Sequence, residues 1–308
     1  MVPARTLMRA MLIAAAVAVA ACGREPAPPP KPAPWPAEFV RGQQQWRAER
    51  VRELTAPEGW TSLVGLHWLD RGAHYAGRDA GNGIRLAVGP GQFGMFDVTT
   101  RGVRFVPARA AGLLVDDKPA RPAMLRADDD PAGPSRIAFD DGKGSATVIR
   151  RGDRFALRVR HVDAPTRTGF RGLTYWPGGP GWVVDARYVP NPAGRTIEIA
   201  NIVGTVEPMA NPGRVEFERG GRVHRIEALD DGSGGLFLVF ADRTSGHGSY
   251  GAGRFIDAPA PSDGRVRIDF NRAYNPPCAF TSFATCPLPP PENRLDLAVN
   301  AGEKAYVH

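Results

Sequence analysis

The sequence has 308 residues and a formal net charge of +7, from 39 Lys and Arg against 32 Asp and Glu. The basic residues are scattered as single arginines, which argues against a nucleic-acid partner, because such a partner needs a concentrated basic surface on a helix or an aromatic platform. The charge therefore indicates a solvated surface, with weak attraction to anionic surfaces as the alternative.

The first residues have the features of a secretion signal. Two arginines, Arg5 and Arg9, precede an apolar run over 11–21 that is too short to cross a bilayer as a mature helix, which needs about 20 residues. The run ends in VAAC (19–22), which resembles the bacterial lipobox, so residues 1–21 are predicted to be a lipoprotein signal peptide. Cys22 would then be acylated and become the first mature residue, whereas an ordinary secretion signal with a chance cysteine is the alternative.

The residues that follow are predicted to be a lipidated tether over 22–36. They contain seven prolines, a composition that favours extended polyproline conformation over a packed core. Acyl chains contribute about 0.8 kcal/mol per buried methylene and anchor a protein without a transmembrane helix. The residue after Cys22 is Gly23 rather than Asp, which favours location in the outer membrane, by resemblance to Gram-negative lipoproteins. The sequence thus predicts a membrane-anchored lipoprotein of the cell envelope that faces the periplasm.

One helix is predicted, over residues 37–54. Apolar residues that include Phe39, Trp46 and Leu54 lie near one face, while charged residues that include Arg50 occupy the others. The expected role of this helix is to pack across a β core.

From residue 60 onwards the pattern changes to short apolar runs separated by Gly, Pro and Asp. Several runs alternate at period two, as at Val215 and Phe217, and turn dipeptides such as Asp141-Gly142 join neighbouring runs. The prediction is a mainly β protein, an antiparallel barrel or sandwich with the N-terminal helix packed against it. Residues 37–308 are assigned to a single β-rich domain, and two packed β subdomains are the alternative.

No metal site and no cofactor are predicted. His67 lies between a leucine and a tryptophan, which is typical of a packed core histidine. His74, His161 and His224 are similarly isolated, and the sequence contains neither paired Cys-x-x-Cys nor a zinc-binding histidine motif.

The segment 240–255 contains the residue types of a hydrolytic triad on one glycine-rich hairpin. Known triads draw on separate elements, and a Gly-x-Ser-x-Gly elbow is missing, so this segment is predicted to be a turn. Tyr250 and Arg254 are the better functional candidates, because strand residues beside a glycine turn can direct an aromatic face and a guanidinium into one cleft. The triad-like residues are Asp242, Ser245, His247 and Ser249.

The C-terminal region combines polar side chains with stiff backbone. Asp269 and Asn271 alternate at a strand end and should share a face, while Tyr274 and Asn275 precede two prolines that favour extended conformation. Further prolines stiffen the return of the chain, which closes at Asn293. Such rigidity suits a preorganised binding surface, and it equally suits a loop that closes one end of a barrel.

Cys278 and Cys286 are predicted to form one structural disulfide, because the predicted compartment is oxidising and Cys22 is acylated. The enclosed loop is short, so the bond would stiffen the chain locally more than it stabilises the domain. The alternatives are a nucleophilic thiol and a redox pair. A nucleophilic thiol would need a neighbouring base, which this stretch lacks, and a redox pair usually has the spacing Cys-x-x-Cys.

Several of these segments resemble a bacterial and archaeal family called domain of unknown function 1684 (DUF1684). They are GFRGLTYWP (169–177), the hairpin 240–255 and the long C-terminal motif 268–306, together with the helix and GWTSLVGLHWLDRG (59–72). The resemblance covers roughly residues 37–306. It implies a single, mainly β domain in which these motifs converge on one region, and it implies no activity.

Three functions remain open. The first is binding of a small or polymeric envelope ligand in a pocket or groove, with Arg254 pairing with an anionic group. The second is hydrolysis of an envelope or sugar ester with Asp269 or Glu303 as acid or base, which requires such a group within about 3 Å of a nucleophile or water in a concave site. The third is a structural assembly factor. The predicted ligand-binding residues are Tyr250, Arg254, Asn271, Tyr274, Asn275 and Asn293.

Overall fold

The structure, a computed structural model, describes residues 34–308. The predicted signal peptide, the predicted lipidation at Cys22 and all but the last three residues of the predicted tether lie outside the described residues. Within residues 34–308, no helix is both long enough and apolar enough to cross a membrane.

The predicted helix is present. Helix α1 spans Ala37–Thr55, and a single turn, α2, spans Pro165–Thr168. An acidic residue in the first turn of α1 and a basic residue in the last turn have the charges that the helix dipole favours. Gln43 and Leu54 are buried, and Leu54 packs against Phe280 of the C-terminal region. The helix therefore packs across the β core, as predicted.

The first group of strands, from residue 63 to residue 161, builds the N-terminal half. These strands are β1 (Leu63–Leu69), β2 (Gly72–Gly77), β3 (Ile84–Arg85), β4 (Gly94–Thr99), β5 (Gly102–Pro107), β6 (Leu114–Val115), β7 (Lys118–Pro119), β8 (Ala123–Leu125), β9 (Ile137–Phe139), β10 (Gly144–Arg151) and β11 (Arg154–His161). One sheet has the order β1-β11-β10-β9-β6-β7, and the other has the order β3-β2-β4-β5-β8. All their pairings are antiparallel except that of β2 with β3.

The two sheets of the N-terminal half share one aromatic core. Phe96 and Phe105 stack with ring centroids 4.8 Å apart, and Phe93 meets Phe139 edge to face at 5.4 Å. Gly144 lies so close to Phe139 that a β-carbon at this position would approach the ring to 2.0 Å. Glycine at 144 therefore allows β10 to pass over the ring and pair with β9.

Strand β11 has one apolar face and one basic face. Leu157 and Val159 are buried in the aromatic core, while Arg158 and Arg160 point to the opposite face because side chains alternate along a strand. This basic face is covered by Trp60, whose ring lies 5.5 Å from the Arg158 guanidinium and 5.9 Å from that of Arg160. The alternation therefore places two arginines under an aromatic side chain instead of in solvent.

The second group of strands builds the C-terminal half. These strands are β12 (Val183–Pro190), β13 (Thr196–Ala200), β14 (Val206–Ala210), β15 (Gly213–Arg219), β16 (Arg222–Asp230), β17 (Leu236–Phe240), β18 (Arg254–Ala258) and β19 (Arg265–Asp269). Six of them form a nearly closed, barrel-like antiparallel sheet in the order β18-β17-β16-β15-β12-β19. Strands β13 and β14 form a separate hairpin.

The barrel interior follows the period-two alternation seen in the sequence. Val215 and Phe217 are buried inside it, and Phe270, directly after β19, fills one end with its ring 5.2 Å from that of Phe217 and 5.8 Å from that of Phe240. The mainly β, antiparallel prediction is confirmed. The sequence left barrel and sandwich open, and the structure contains both arrangements: two sheets around one core, followed by the barrel-like sheet.

Candidate functional site

The predicted disulfide forms in the structure. Cys278 and Cys286 are bonded with their α-carbons 6.2 Å apart, and the Cys278 N–H donates to the Cys286 sulfur at 3.1 Å. The bond closes residues 278–286, here called the stapled loop. This loop packs on the outer face of the barrel, where Ala284 and Cys286 contact a cluster that includes Phe255.

Asn271 and Asn293 brace the chain on either side of the stapled loop. The Asn271 amide accepts from the Gly179 N–H at 2.7 Å and donates to the Gly179 carbonyl at 3.0 Å. The Asn293 amide accepts from the Glu227 N–H at 2.7 Å and donates to the carbonyls of Glu227 and Val239, both at 2.9 Å. Both side chains are buried and replace missing backbone hydrogen bonds, as asparagine amides in turns commonly do.

Asn275 is fully buried beside the last residues of the domain. Its side-chain nitrogen donates to the Lys304 carbonyl at 2.7 Å, and its backbone N–H donates to the Glu303 carboxylate at 2.8 Å. Tyr250 supports the loop itself, because its hydroxyl donates to the Cys278 carbonyl at 3.2 Å. The roles of these residues in ligand binding stay a prediction, and their observed contacts are with the protein.

Arg254 is fully buried and forms an internal ion pair. Its guanidinium lies 2.8 Å from the Asp242 carboxylate and donates to the carbonyls of Val299, Ala301 and Glu303 at 2.9, 2.5 and 3.2 Å. Burial lowers the pKa of Arg254, and the charges of Asp242 and Glu303 oppose this. The predicted pairing of Arg254 with a ligand anion stays untested, but in the structure these donors hold the C-terminal segment against the hairpin.

The triad-like residues of the hairpin are used to form a turn. Asp242 binds Arg254 and accepts from the Thr244 N–H at 2.6 Å. Ser249 accepts from the Trp176 indole at 2.9 Å, while His247 is exposed and its ring contacts the Ser245 carbonyl at 3.2 Å. These contacts agree with the interpretation of this segment as a turn.

Arg50 and Glu303 form a second buried ion pair. Arg50 Nε lies 3.1 Å from a Glu303 carboxylate oxygen, and its Nη2 donates to the Asn275 carbonyl at 2.9 Å. The Glu303 side chain is fully buried, and this burial raises its pKa despite the opposing influence of Arg50 and of the Asn275 N–H. The sequence placed Arg50 on a helix face other than the apolar one. In the structure its side chain is only 10% exposed, and the guanidinium stacks 4.5 Å above the Tyr274 ring.

A cavity of about 280 Å³ lies beside this pair and is here called the first cavity. It forms where helix α1, the end of β10, the outer face of β17 and β18, and the stapled loop meet. Its lining residues are Arg50, Trp60, Arg151, Phe237, Phe255, Tyr274, Pro277, Ala284, Thr285, Cys286 and Pro287.

One wall of the first cavity is aromatic. Phe237 and Phe255 point outward from β17 and β18 and meet edge to face at 4.9 Å, and Tyr274 meets Phe255 edge to face at 5.8 Å. The Tyr274 hydroxyl donates to Asp257 at 2.9 Å. Burial and the neighbouring Asp257 charge raise the pKa of Tyr274 far above its usual value, so this side chain stays a neutral phenol.

The rest of the lining includes basic and polar side chains. Arg151 Nε donates to the Thr285 hydroxyl at 2.9 Å, and its Nη1 lies 2.9 Å from the Asp128 carboxylate. A guanidinium has five N–H donors. The contacts described above do not involve one terminal nitrogen of each arginine, namely Nη1 of Arg50 and Nη2 of Arg151. The cavity therefore combines flat apolar surface with guanidinium donors that suit a carboxylate.

The predicted site residues meet around the stapled loop, but only one of them lines the first cavity. That residue is Tyr274, whereas Arg254, Asn271, Asn275 and Asn293 brace the chain behind it. The cavity residues that the sequence reasoning missed are Arg50, Trp60, Arg151 and Thr285.

The two predicted acid–base candidates are both engaged by the protein. Asp269 accepts from the Gln43 side chain at 2.6 Å and from the Asn271 N–H and side-chain amide at 3.0 and 2.8 Å. Glu303 is engaged by Arg50 and Asn275. Neither carboxylate is among the residues that line the first cavity.

Comparison with known families supports the resemblance seen in the sequence. Residues 168–304 match the family described as "Protein of unknown function (DUF1684)". Residues 168–304 are therefore of the DUF1684 type. The matched residues hold the barrel and most of the C-terminal region of the chain, whereas helix α1 and the N-terminal half lie outside the match.

A solved structure is also similar to part of the chain. It is the solution NMR structure of an uncharacterized protein of Haloarcula marismortui, with 31% sequence identity and a TM-score of 0.38, covering 45% of this chain and 78% of that chain. No protein with a curated description matches the chain.

Proposed function

We propose that this chain is a lipid-anchored protein of the cell envelope that binds a small ligand in the first cavity. The ligand has a flat apolar body and a carboxylate. The observation that carries the proposal is the pairing, in one concave site, of an aromatic wall with the side chains of Arg50 and Arg151.

The size of the first cavity supports a small ligand. Binding pockets for small molecules commonly measure roughly 300–1,000 Å³ and are mostly apolar with a few placed polar groups. At about 280 Å³, the first cavity lies just below that range. A single aromatic ring or a sugar ring with an acidic substituent fits this size, whereas for a polymeric ligand only an end group would enter.

Binding is favoured over hydrolysis by the state of the two carboxylates. An acid–base residue needs a free proton-transfer position near a nucleophile or a water molecule in the site. Asp269 and Glu303 instead accept several hydrogen bonds each from neighbouring residues. Their contacts favour a structural role, in which Glu303 holds Arg50 in place at the cavity wall.

The proposed location rests on the N-terminal sequence and is consistent with the disulfide. Disulfides persist mainly in oxidising compartments outside the cytoplasm, and the bond between Cys278 and Cys286 fits export of the chain. Growth with a clickable palmitate analogue tests the anchor. The chain is expected to be labelled and to sediment with membranes, and Cys22→Ser is expected to abolish both. Labelling that persists in Cys22→Ser would contradict lipidation at this cysteine.

Ligand binding is tested with the mature chain produced without its signal peptide and Cys22. A panel of aromatic and sugar carboxylates is screened by thermal shift, and each hit is measured by calorimetry. Arg151→Gln is expected to weaken binding about 10- to 100-fold, because a hydrogen bond to a charged group contributes about 1.5–3 kcal/mol. Arg267→Gln is the matched control, since Arg267 is an exposed arginine on β19.

Two results would contradict the proposal. The first is a hit that binds Arg151→Gln as tightly as it binds the unaltered protein. The second is equal weakening by Arg151→Gln and Arg267→Gln, which would show a general effect of net charge instead of a contact in the first cavity.

A further inference from the structure

A second cavity lies on the other side of Trp60 and Thr285 from the first. Its volume is about 420 Å³, and it opens over the basic face of the sheet that contains β10 and β11. Its lining residues are Glu58, Asp128, Pro134, Arg136, Thr147, Ile149, Arg158 and Arg160. The first cavity and this second cavity are separated where Arg158 Nη2 contacts the Thr285 hydroxyl at 3.4 Å.

Arg158 is the unusual residue of the second cavity. It is 94% buried, since its exposed fraction is only 6%, and no carboxylate of residues 34–308 forms an ion pair with it within 4.0 Å. Its Nε makes no hydrogen bond to any of the described residues. A buried cation without an anionic partner is costly, so this position favours a negatively charged group.

The neighbouring charges do not compensate for Arg158. The Asp128 carboxylate is engaged by Arg151 at 2.9 Å. Glu58 is shared between Arg136 at 3.4 Å and Arg160 at 4.0 Å. Both carboxylates line the second cavity together with Arg136, Arg158 and Arg160, so the charged side chains of its lining leave an excess of one positive charge.

The electrostatic surroundings of Arg158 also favour an anion. Burial, together with the nearby charges of Arg151 and Arg160, lowers the pKa of Arg158 to about 10, while Asp128 acts in the opposite direction. Burial also lowers the pKa of Arg160, which lies opposite Ser145 in the β10–β11 pairing and has an Nε without a hydrogen bond to the described residues. Arg158 therefore lacks the anionic partner that buried arginines normally have, and Arg160 has only the distant Glu58 carboxylate at 4.0 Å.

We propose that the second cavity binds a phosphate group, as inorganic phosphate or as a phosphate monoester, between Arg136, Arg158 and Arg160. An anion would supply the partner that the buried Arg158 guanidinium lacks, and phosphate oxygens suit the forked donors of several guanidinium groups. The site is distinct from the first cavity and does not depend on the function proposed for it.

The test titrates inorganic phosphate into the mature chain by calorimetry, at constant ionic strength adjusted with sodium chloride. The unaltered protein is expected to bind phosphate, and Arg158→Gln is expected to weaken binding at least about tenfold. Arg154→Gln is the matched control, because Arg154 is an exposed arginine on the same strand. Failure of phosphate to bind, or equal binding to Arg158→Gln and the unaltered protein, overturns the proposal.

Tyr274→Phe separates the two cavities, since Tyr274 lines only the first. Phosphate binding is expected to be unchanged in Tyr274→Phe, and a loss of binding there would place the anion in the first cavity and overturn the assignment.

Stability without phosphate provides an independent measurement. Because Arg158 carries a buried, unpaired charge, Arg158→Met is expected to have a melting temperature equal to or above that of the unaltered protein in phosphate-free buffer. A large fall in this melting temperature would show that the protein itself already compensates Arg158.

Glycerol 3-phosphate and lipid vesicles distinguish the sources of the phosphate group. Glycerol 3-phosphate is expected to compete with inorganic phosphate if the site accepts a soluble monoester. Vesicles of phosphatidic acid in phosphatidylcholine are expected to retain the unaltered protein more than Arg158→Gln if the group is a lipid headgroup. If glycerol 3-phosphate does not compete, and the vesicles retain the unaltered protein no more than Arg158→Gln, the site is restricted to inorganic phosphate.

Discussion

Replacing Arg254 tests whether this side chain holds the fold together or serves a ligand. In the structure the Arg254 and Asp242 side chains are 0% and 1% exposed and lie 2.8 Å apart. Arg254→Met removes the guanidinium and keeps a flexible apolar stem. The Asp242 carboxylate then remains buried with the Thr244 N–H as a close donor, at 2.6 Å, and the carbonyls of Val299 and Ala301 lose the donors that Arg254 supplied.

The expected loss of stability is large. Removing one partner of a buried ion pair costs about 3–5 kcal/mol, because the other charge stays buried and uncompensated. For a domain of this size, each kcal/mol corresponds to roughly 2–4 °C in melting temperature. Arg254→Met is therefore expected to melt about 6–20 °C below the unaltered protein. Adding Asp242→Asn should recover part of this loss, since it removes the unpaired charge and keeps an acceptor for the Thr244 N–H.

Calorimetry or circular dichroism at neutral pH measures these melting temperatures. Arg265→Met is the control, because Arg265 and Asp185 form an ion pair whose side chains are 54% and 64% exposed, and exposed pairs contribute about 0–1 kcal/mol. A fall for Arg254→Met no larger than that for Arg265→Met would refute the structural role of Arg254. Loss of ligand binding with unchanged stability would instead support the ligand role predicted from the sequence.

Three further replacements follow from the same contacts. Because burial raises the pKa of Glu303, its folded state holds the proton more tightly than its unfolded state does. Its contribution to the unfolding free energy is therefore fully present below the ordinary glutamate pKa of about 4.3 and is lost as pH rises through the raised value. Glu303→Gln should remove this decline in urea unfolding measured from pH 4 to 8, whereas Glu292→Gln, at an exposed position, should keep it. Asn293→Ala should lower the unfolding free energy by about 1–3 kcal/mol, because buried backbone groups lose their partners; a change within 0.5 kcal/mol, roughly that of an ordinary surface substitution, would contradict the bracing role. Replacing Cys278 and Cys286 together by serine should cost less than the about 3 kcal/mol expected for a 15-residue loop, and a larger loss in urea unfolding would show that the bond stabilises the whole domain.

The helix and the strands were predictable because their signals are local. Residues 37–55 have helical periodicity and end before a proline and a glycine, and the runs around Val215 and Phe217 alternate at period two. The same alternation is produced by a sandwich and by a barrel, since both bury one face of each strand. Whether the strands form a barrel or a sandwich depends on which edge strands approach each other, and local sequence patterns do not contain that information.

The two cavities could not be predicted, because their residues are adjacent only after folding. Arg158 and Arg160 alternate with Leu157 and Val159, a pattern that equally describes a strand with one solvated face. The structure covers that face with Trp60 from a distant segment. Composition showed arginines distributed along the chain, and the tertiary contacts bring several of them together.

The stapled loop shows how a brace can contribute to two sites. Thr285 lies within it, next to Cys286, whose carbonyl accepts from the Ile202 N–H at 3.0 Å beyond the end of β13. The disulfide and this backbone contact fix the position of the Thr285 hydroxyl, which accepts from Arg151 Nε at 2.9 Å and from Arg158 Nη2 at 3.4 Å. One oxygen atom thus orients an arginine of each cavity. Because a hydroxyl has only two lone pairs, a shift of the loop that strengthens one of these contacts would weaken the other, which provides a physical route for coupling between the proposed carboxylate site and the proposed phosphate site.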